Sequence, residues 1–136
     1  MLTSWHWVYL TDFATFKPTY IPEDDISDWS YFFKTSGRTC YLAPERFYSR
    51  TLPEEKEKEV DAKMDIFSLG CVIAELFLEE RVLFDSSKLM QYKKGKFNPS
   101  SIIETIPDKG IRDMITDCIQ LDPEKRPSVQ QLLDDW

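Results

Sequence analysis

Apolar residues run almost without a break from Ile66 to Leu78, interrupted by Ser68 and Glu75. A helix that is apolar all round is normally buried all round, so a helix from about Ala62 to Leu78 is expected to be the fully enclosed core of the fold. Gly70 in its interior costs about 1 kcal/mol relative to alanine, which implies that another segment approaches closely there. Glu79, Glu80 and Arg81 end the run in solvent. Beyond it, residues 86–93 read as a second helix, capped by Asp85 or Ser86 and closed by Gly95. Ile102, Ile103 and Ile106 are expected as apolar residues of a loop. In residues 110–121, Ile111, Met114, Ile115 and Cys118 recur at helical spacing on one face, and Asp122-Pro123 is expected to break that helix. A last helix starts at Pro127 and Ser128, with Ser128 as its cap and Val129, Leu132 and Leu133 on its packing face. It reaches Trp136 inside an amphipathic pattern, which reads as a truncation.

The pattern before the core helix is different. Residues 5–11 are aromatic and β-branched, without glycine or proline, and predict a short strand that delivers Asp12. Residues 17–28 hold Pro18, Pro22, Glu23, Asp24, Asp25 and Asp28, a composition expected to loop over the surface. Four of the five residues 29–33 are aromatic and suit anchoring in a groove. Residues 52–61, with Pro53 and the run from Glu54 to Glu59, read as a solvated connector supported by pairs such as Glu54 with Lys58.

Composition narrows the function classes. At 136 residues and 42% hydrophobic, the chain suits a single domain with a buried core. A net charge of -7 leaves no basic stripe to neutralise phosphates, so nucleic acid is not an expected partner. Cys40, Cys71 and Cys118 are too widely spaced for a C-x-x-C zinc pair, and His6 is the single histidine. They read as reduced structural thiols of a cytosolic protein. The apolar run is too short to span a bilayer, and Met1-Leu2 opens neither a signal peptide nor a myristoylation site. No direct membrane insertion by this segment is expected.

The candidate chemistry lies in three motifs. Asp12-Phe13-Ala14, then Ala43-Pro44-Glu45, then Asp65-Ile66-Phe67-Ser68-Leu69-Gly70 follow one another in the order of a protein-kinase activation segment and the helix behind it. The run Tyr9 to Tyr20, the aromatics Tyr31-Phe32-Phe33 and the run Arg38 to Phe47 closely resemble the kinase-like regulatory subunits of class III phosphatidylinositol 3-kinase complexes, the vacuolar-protein-sorting type of serine/threonine-protein kinase. The resemblance spans nearly the whole chain. It implies a mainly α fold, the partial carboxy-terminal lobe of a protein-kinase-like domain over 1–136, with an activation segment at 12–45 and a helical lobe at 46–136.

The resemblance also assigns roles. Asp12 would be a Mg²⁺ ligand, and Asp12 with Phe13 would belong to the ATP and Mg²⁺ site of the complete domain. The catalytic loop, glycine-rich loop and strand lysine are expected upstream of Met1, so no complete phosphotransfer site is expected in this chain and neither ATP nor Mg²⁺ should bind it tightly. Ala14 stands where protein kinases usually carry a glycine, a departure the resembled subunit shares, at a cost of about 1–2 kcal/mol if its φ is positive. Arg38 stands where many carry a threonine, with Thr39 one residue closer to Tyr41. Glu45 is expected to pair with Arg126, from the loop Leu121 to Pro127, and Asp65 is expected as an under-satisfied carboxylate whose partner loop is missing. Thr35, Ser36 and Thr39, beside Lys34 and Arg38, are candidate phosphorylation sites. The implied partners are a lipid-kinase catalytic subunit and the other subunits of the complex, at endosomal or autophagic membranes. Two alternatives stand beside this reading: a non-catalytic module in which residues 29–33 with Phe47, Tyr48 and Phe97 dock a partner, and an incomplete sequence of an ordinary active serine/threonine kinase.

Overall fold

The computed structural model describes Ser4, Val8 and residues 20–24, 40–51, 60–79 and 81–135. Within them the chain is mostly helical with one short two-stranded sheet. The strands are β1 (Ile21–Pro22) and β2 (Phe47–Tyr48), and the helices are α1 (Ala62–Phe77), α2 (Ser86–Lys93), α3 (Ser100–Ile103), α4 (Lys109–Cys118) and α5 (Val129–Asp135). Two 3₁₀ turns, Pro44–Arg46 and Pro123–Lys125, lead into β2 and out towards α5.

Four of the five helices, all but α3, start where a short polar side chain occupies an otherwise orphaned backbone donor. The Asp61 carboxylate accepts from Lys63 N–H at 2.9 Å, Asp85 from Lys88 N–H at 2.7 Å, and Asp108 from Ile111 N–H at 3.0 Å. Ser128 forms a reciprocal box: its Oγ accepts from Gln131 N–H at 3.2 Å, while Gln131 Oε1 accepts from Ser128 N–H at 2.8 Å. α2 ends in a Schellman closure around Gly95 (φ 66°), with Gly95 N–H on Tyr92 O at 2.9 Å and Lys96 N–H on Gln91 O at 2.8 Å. Glu79, just past α1, takes the same left-handed region (φ 47°) without glycine's freedom.

The core forms where α1 meets α4 and the loops around α2. Phe67 and Phe84 stack with centroids 5.8 Å apart, and Tyr92 and Phe97 lie 5.0 and 6.1 Å from Phe84. Leu89, Ile106 and Ile115 fill the space around them without exposure. Burial of each such side chain contributes about 1.5–3 kcal/mol. Gly70 lets α4 close on α1: a Cβ there would sit 2.6 Å from Cys118 Cβ and 3.0 Å from Ile119 Cγ2.

The sequence reading of the fold needs correction at six places. α1 is not enclosed: Asp65, Leu69, Val72 and Leu76, successive residues of one helical stripe, are exposed, Leu76 at 75%. Apolar composition around the whole helix outruns the cover supplied by the described residues, because α4 and the Pro123–Lys125 turn lie against the opposite side. Residues 17–28 are not wholly a surface loop. Ile21 is 1% exposed and pairs in parallel with Phe47, so its backbone is satisfied by the sheet and its side chain by the core. Ile102 and Ile103 lie on α3 rather than in a loop, and Ile106 follows it, with Ile103 and Ile106 in the core. α4 stops at Cys118, before the Asp122-Pro123 pair, and Pro123 instead opens a 3₁₀ turn. On α5, Val129 is exposed, as is Leu133 at 71%, leaving Leu132 alone of the three half-buried. Phe47, offered above as a docking residue, is 1% exposed and belongs to the core, and Phe97 packs edge-on against Phe84.

The strand expected over 5–11 falls outside the described residues apart from Val8, which is exposed. The aromatic cluster of 29–33 and the connector from Pro53 to Glu59 also lie outside them.

Candidate functional site: the anchor of the activation segment

Residues 40–48 are fixed to the lobe from four directions. Cys40 N–H donates to Phe84 O at 2.9 Å. Ser68 Oγ, from the middle of α1, donates to Tyr41 O at 2.7 Å, and the Tyr41 hydroxyl donates to the Glu75 carboxylate one to two turns further on. Ala43 is fully buried. Lys93 closes the far end: its ammonium donates both to Phe47 O and to the Glu23 carboxylate, tying α2 to β2 and to the turn just after β1.

The strongest tie is Arg126, whose side chain is 0% exposed. Its Nη1 and Nη2 donate to Glu45 Oε1 and Oε2 at 2.5 and 2.8 Å, a bidentate fork across 81 positions of sequence. Nε donates to Gln120 O at 2.7 Å, Nη1 also to Lys63 O at 2.8 Å, and Nη2 reaches Leu121 O at 3.5 Å. Five N–H donors thus face five acceptors, the arrangement a buried guanidinium requires. The group also lies 5.1 Å from the Phe67 ring centroid. Lys63 Nζ returns a bond to Arg126 O at 2.5 Å, so the start of α1 and the loop before α5 hold each other.

The structure therefore brings Glu45 and Arg126 together. It does not give Asp65 a buried setting: that carboxylate is exposed, in the field of Arg46. Solvent supplies the hydrogen bonds that burial would have denied it, which replaces the under-satisfied carboxylate of the sequence reading. Burial lowers the Arg46 pKa, and Asp65 works against that shift. Asp12 and Phe13, the candidate metal and nucleotide residues, and Thr35, Ser36 and Thr39, the candidate phosphorylation sites, lie outside the described residues. Among the described residues no group of three or more His, Cys, Asp or Glu side chains is placed to hold a metal ion.

All three cysteines are buried free thiols. Burial raises each of them, Cys118 to about 11, with Cys40 and Cys71 displaced in the same direction. A thiol that resists ionisation is a poor nucleophile, so these three pack rather than react. Sequence reasoning missed the Tyr41–Glu75 contact and Lys93. Glu75 carried a usable signal, a lone carboxylate inside an apolar helix. Lys93 carried none, because a lysine in the last turn of a helix is ordinary dipole chemistry.

The arrangement suits fixing a segment in place. Comparison with known proteins agrees with such a lobe. The protein kinase domain model matches residues 6–136. The serine/threonine-protein kinase VPS15 of Arabidopsis thaliana is 54% identical over the whole of this chain, which covers 9% of that protein. The probable serine/threonine-protein kinase vps15 of Dictyostelium discoideum is 49% identical over the whole chain and 7% of its own length, and VPS15 of Saccharomyces cerevisiae 46% over the whole chain and 10%. The chain thus spans a tenth or less of these relatives. With its activation-segment anchor and that match, the chain belongs to the protein kinase domain family.

Proposed function

We propose that the chain is part of a VPS15-type serine/threonine-protein-kinase-like regulatory subunit of a class III phosphatidylinositol 3-kinase complex, acting in endosomal sorting and autophagy. One observation carries the reading: identity of 46 to 54% across the entire chain with VPS15 kinases of a plant, an amoeba and a yeast. The latched segment of residues 40–48 supports it, since a segment held by Arg126, Ser68 and Lys93 presents a fixed surface to a partner. In this reading the partners are the lipid-kinase catalytic subunit and the other subunits of the complex. ATP and Mg²⁺ belong to the complete domain, where Asp12 would supply one metal ligand. The setting is cytoplasmic, with endosomal or autophagic membranes reached through the assembled complex. No helix among the described residues is long and apolar enough to cross a membrane.

The test is isolation of the full-length protein from its own cells, followed by assay of the isolate for phosphorylation of phosphatidylinositol at the 3-position. Lipid-kinase activity that co-purifies, and that disappears when the full-length protein is depleted, supports the reading. An isolate repeatedly free of that activity overturns it.

A further inference from the structure

A groove of about 480 Å³ runs between the Pro44–Arg46 turn, the start of α1 and the loop before α5. Its floor and walls are apolar, with Phe47, Met64, Leu121 and Pro123 among the lining residues. Its charged residues divide into two kinds. Glu45 and Lys93 are already matched, the first by Arg126 and the second by Glu23. Asp61 and Glu124 are exposed and have no ion-pair partner among the described residues. Asp61 uses one oxygen to cap α1, which leaves the other for a ligand. The groove therefore has an apolar floor and a net negative rim, within a chain that is itself strongly acidic.

We propose that this groove docks a short segment of a partner protein in which an apolar side chain alternates with lysine or arginine. The apolar side chain would cover the exposed part of Leu121 and the adjoining floor, and the cation would meet Asp61 and Glu124. Charge complementarity selects this occupant: an acidic segment meets two like charges, and a purely apolar one leaves both carboxylates to be dehydrated without a partner. A pocket of this volume holds only a few side chains, so the contact is a short docking motif rather than a broad interface. It rests on the groove alone and stands whether or not the partner is a lipid kinase.

The experiment uses the full-length protein and a fluorescein-labelled peptide with the core Leu-Arg-Leu-Lys between glycine-serine flanks, read by fluorescence anisotropy. A second peptide carries glutamate in place of both cations. The expected result is binding of the basic peptide, weak or absent binding of the acidic one, and a loss of about fivefold for the double variant Asp61→Asn, Glu124→Gln. Asparagine keeps the helix cap, so that variant retains the fold, and an unchanged thermal midpoint establishes it. A Leu121→Ser variant should weaken binding with its salt dependence unchanged. Equal binding of both peptides, full affinity in the double variant, or no binding of the basic peptide overturns the proposal.

Discussion

Arg126 is a single side chain whose removal exposes most of what the anchor does. Glu45→Ala leaves the guanidinium buried with three backbone carbonyls and no counter-charge, and should lower the unfolding free energy by about 3–5 kcal/mol in urea titration. Replacing both partners, Glu45→Met with Arg126→Met, should recover only part of that loss, because the buried charge is gone while the carbonyls of Lys63, Gln120 and Leu121 lose their donor. A Glu45→Ala midpoint equal to the wild type would contradict the burial of the pair. The thiols give a pH prediction. Cys118 holds its proton up to about 11, against an ordinary 9.0, because burial disfavours the thiolate. The unfolded chain then loses protons first as pH rises, so the stabilisation is intact below about pH 9 and is lost through about pH 11. Cys40 and Cys71 shift in the same direction and steepen the loss. The unfolding midpoint should fall across that interval, and iodoacetamide at pH 8 should label the native thiols far more slowly than the denatured ones.

At the scale of elements, the helix ends and the helix contact offer two opposite substitutions. Glu79→Gly relieves a left-handed residue that costs about 1–2 kcal/mol, partly offset by a freer unfolded chain, and should raise stability by about 0.5–1 kcal/mol. Gly70→Ala gains helix propensity of about 1 kcal/mol, yet its methyl meets the Cys118 Cβ at 2.6 Å. Neither backbone can retreat easily, so a net loss of about 1–3 kcal/mol is expected from the same titration. These elements also show what was legible beforehand. Gly95 and Ser128 could be placed from sequence, and the α2 cap narrowed to Asp85 or Ser86, because caps act within three or four residues. The closeness behind Gly70 was legible for the same reason, as a local cost with one cheap explanation. The Glu45–Arg126 tie was reached only through family motifs, since no local rule joins residues 81 apart. Ile21 was lost among prolines and carboxylates because a two-residue strand has no period to detect. The cover on α1 was overestimated because apolar content states what must be hidden and says nothing of which segment hides it.

In the whole molecule, contacts that span 27 to 81 positions hold residues 40–48 against segments that come later in the chain. Nucleotide chemistry is not among those contacts. Addition of ATP and Mg²⁺ to the purified 136-residue chain should leave its thermal midpoint unmoved, whereas a ligand at a hundredfold its dissociation constant would add about 2.7 kcal/mol. A shift of several degrees would require a nucleotide site that the sequence reading does not supply.

The 81-position separation of the Glu45 and Arg126 partners also sets a schedule for biosynthesis. At about 5–20 residues per second a ribosome adds the arginine roughly 4–16 s after the glutamate, and later still frees it from the exit tunnel. Throughout that interval the nascent glutamate lacks its arginine partner, and residues 40–48 stay without the tie that fixes them most firmly.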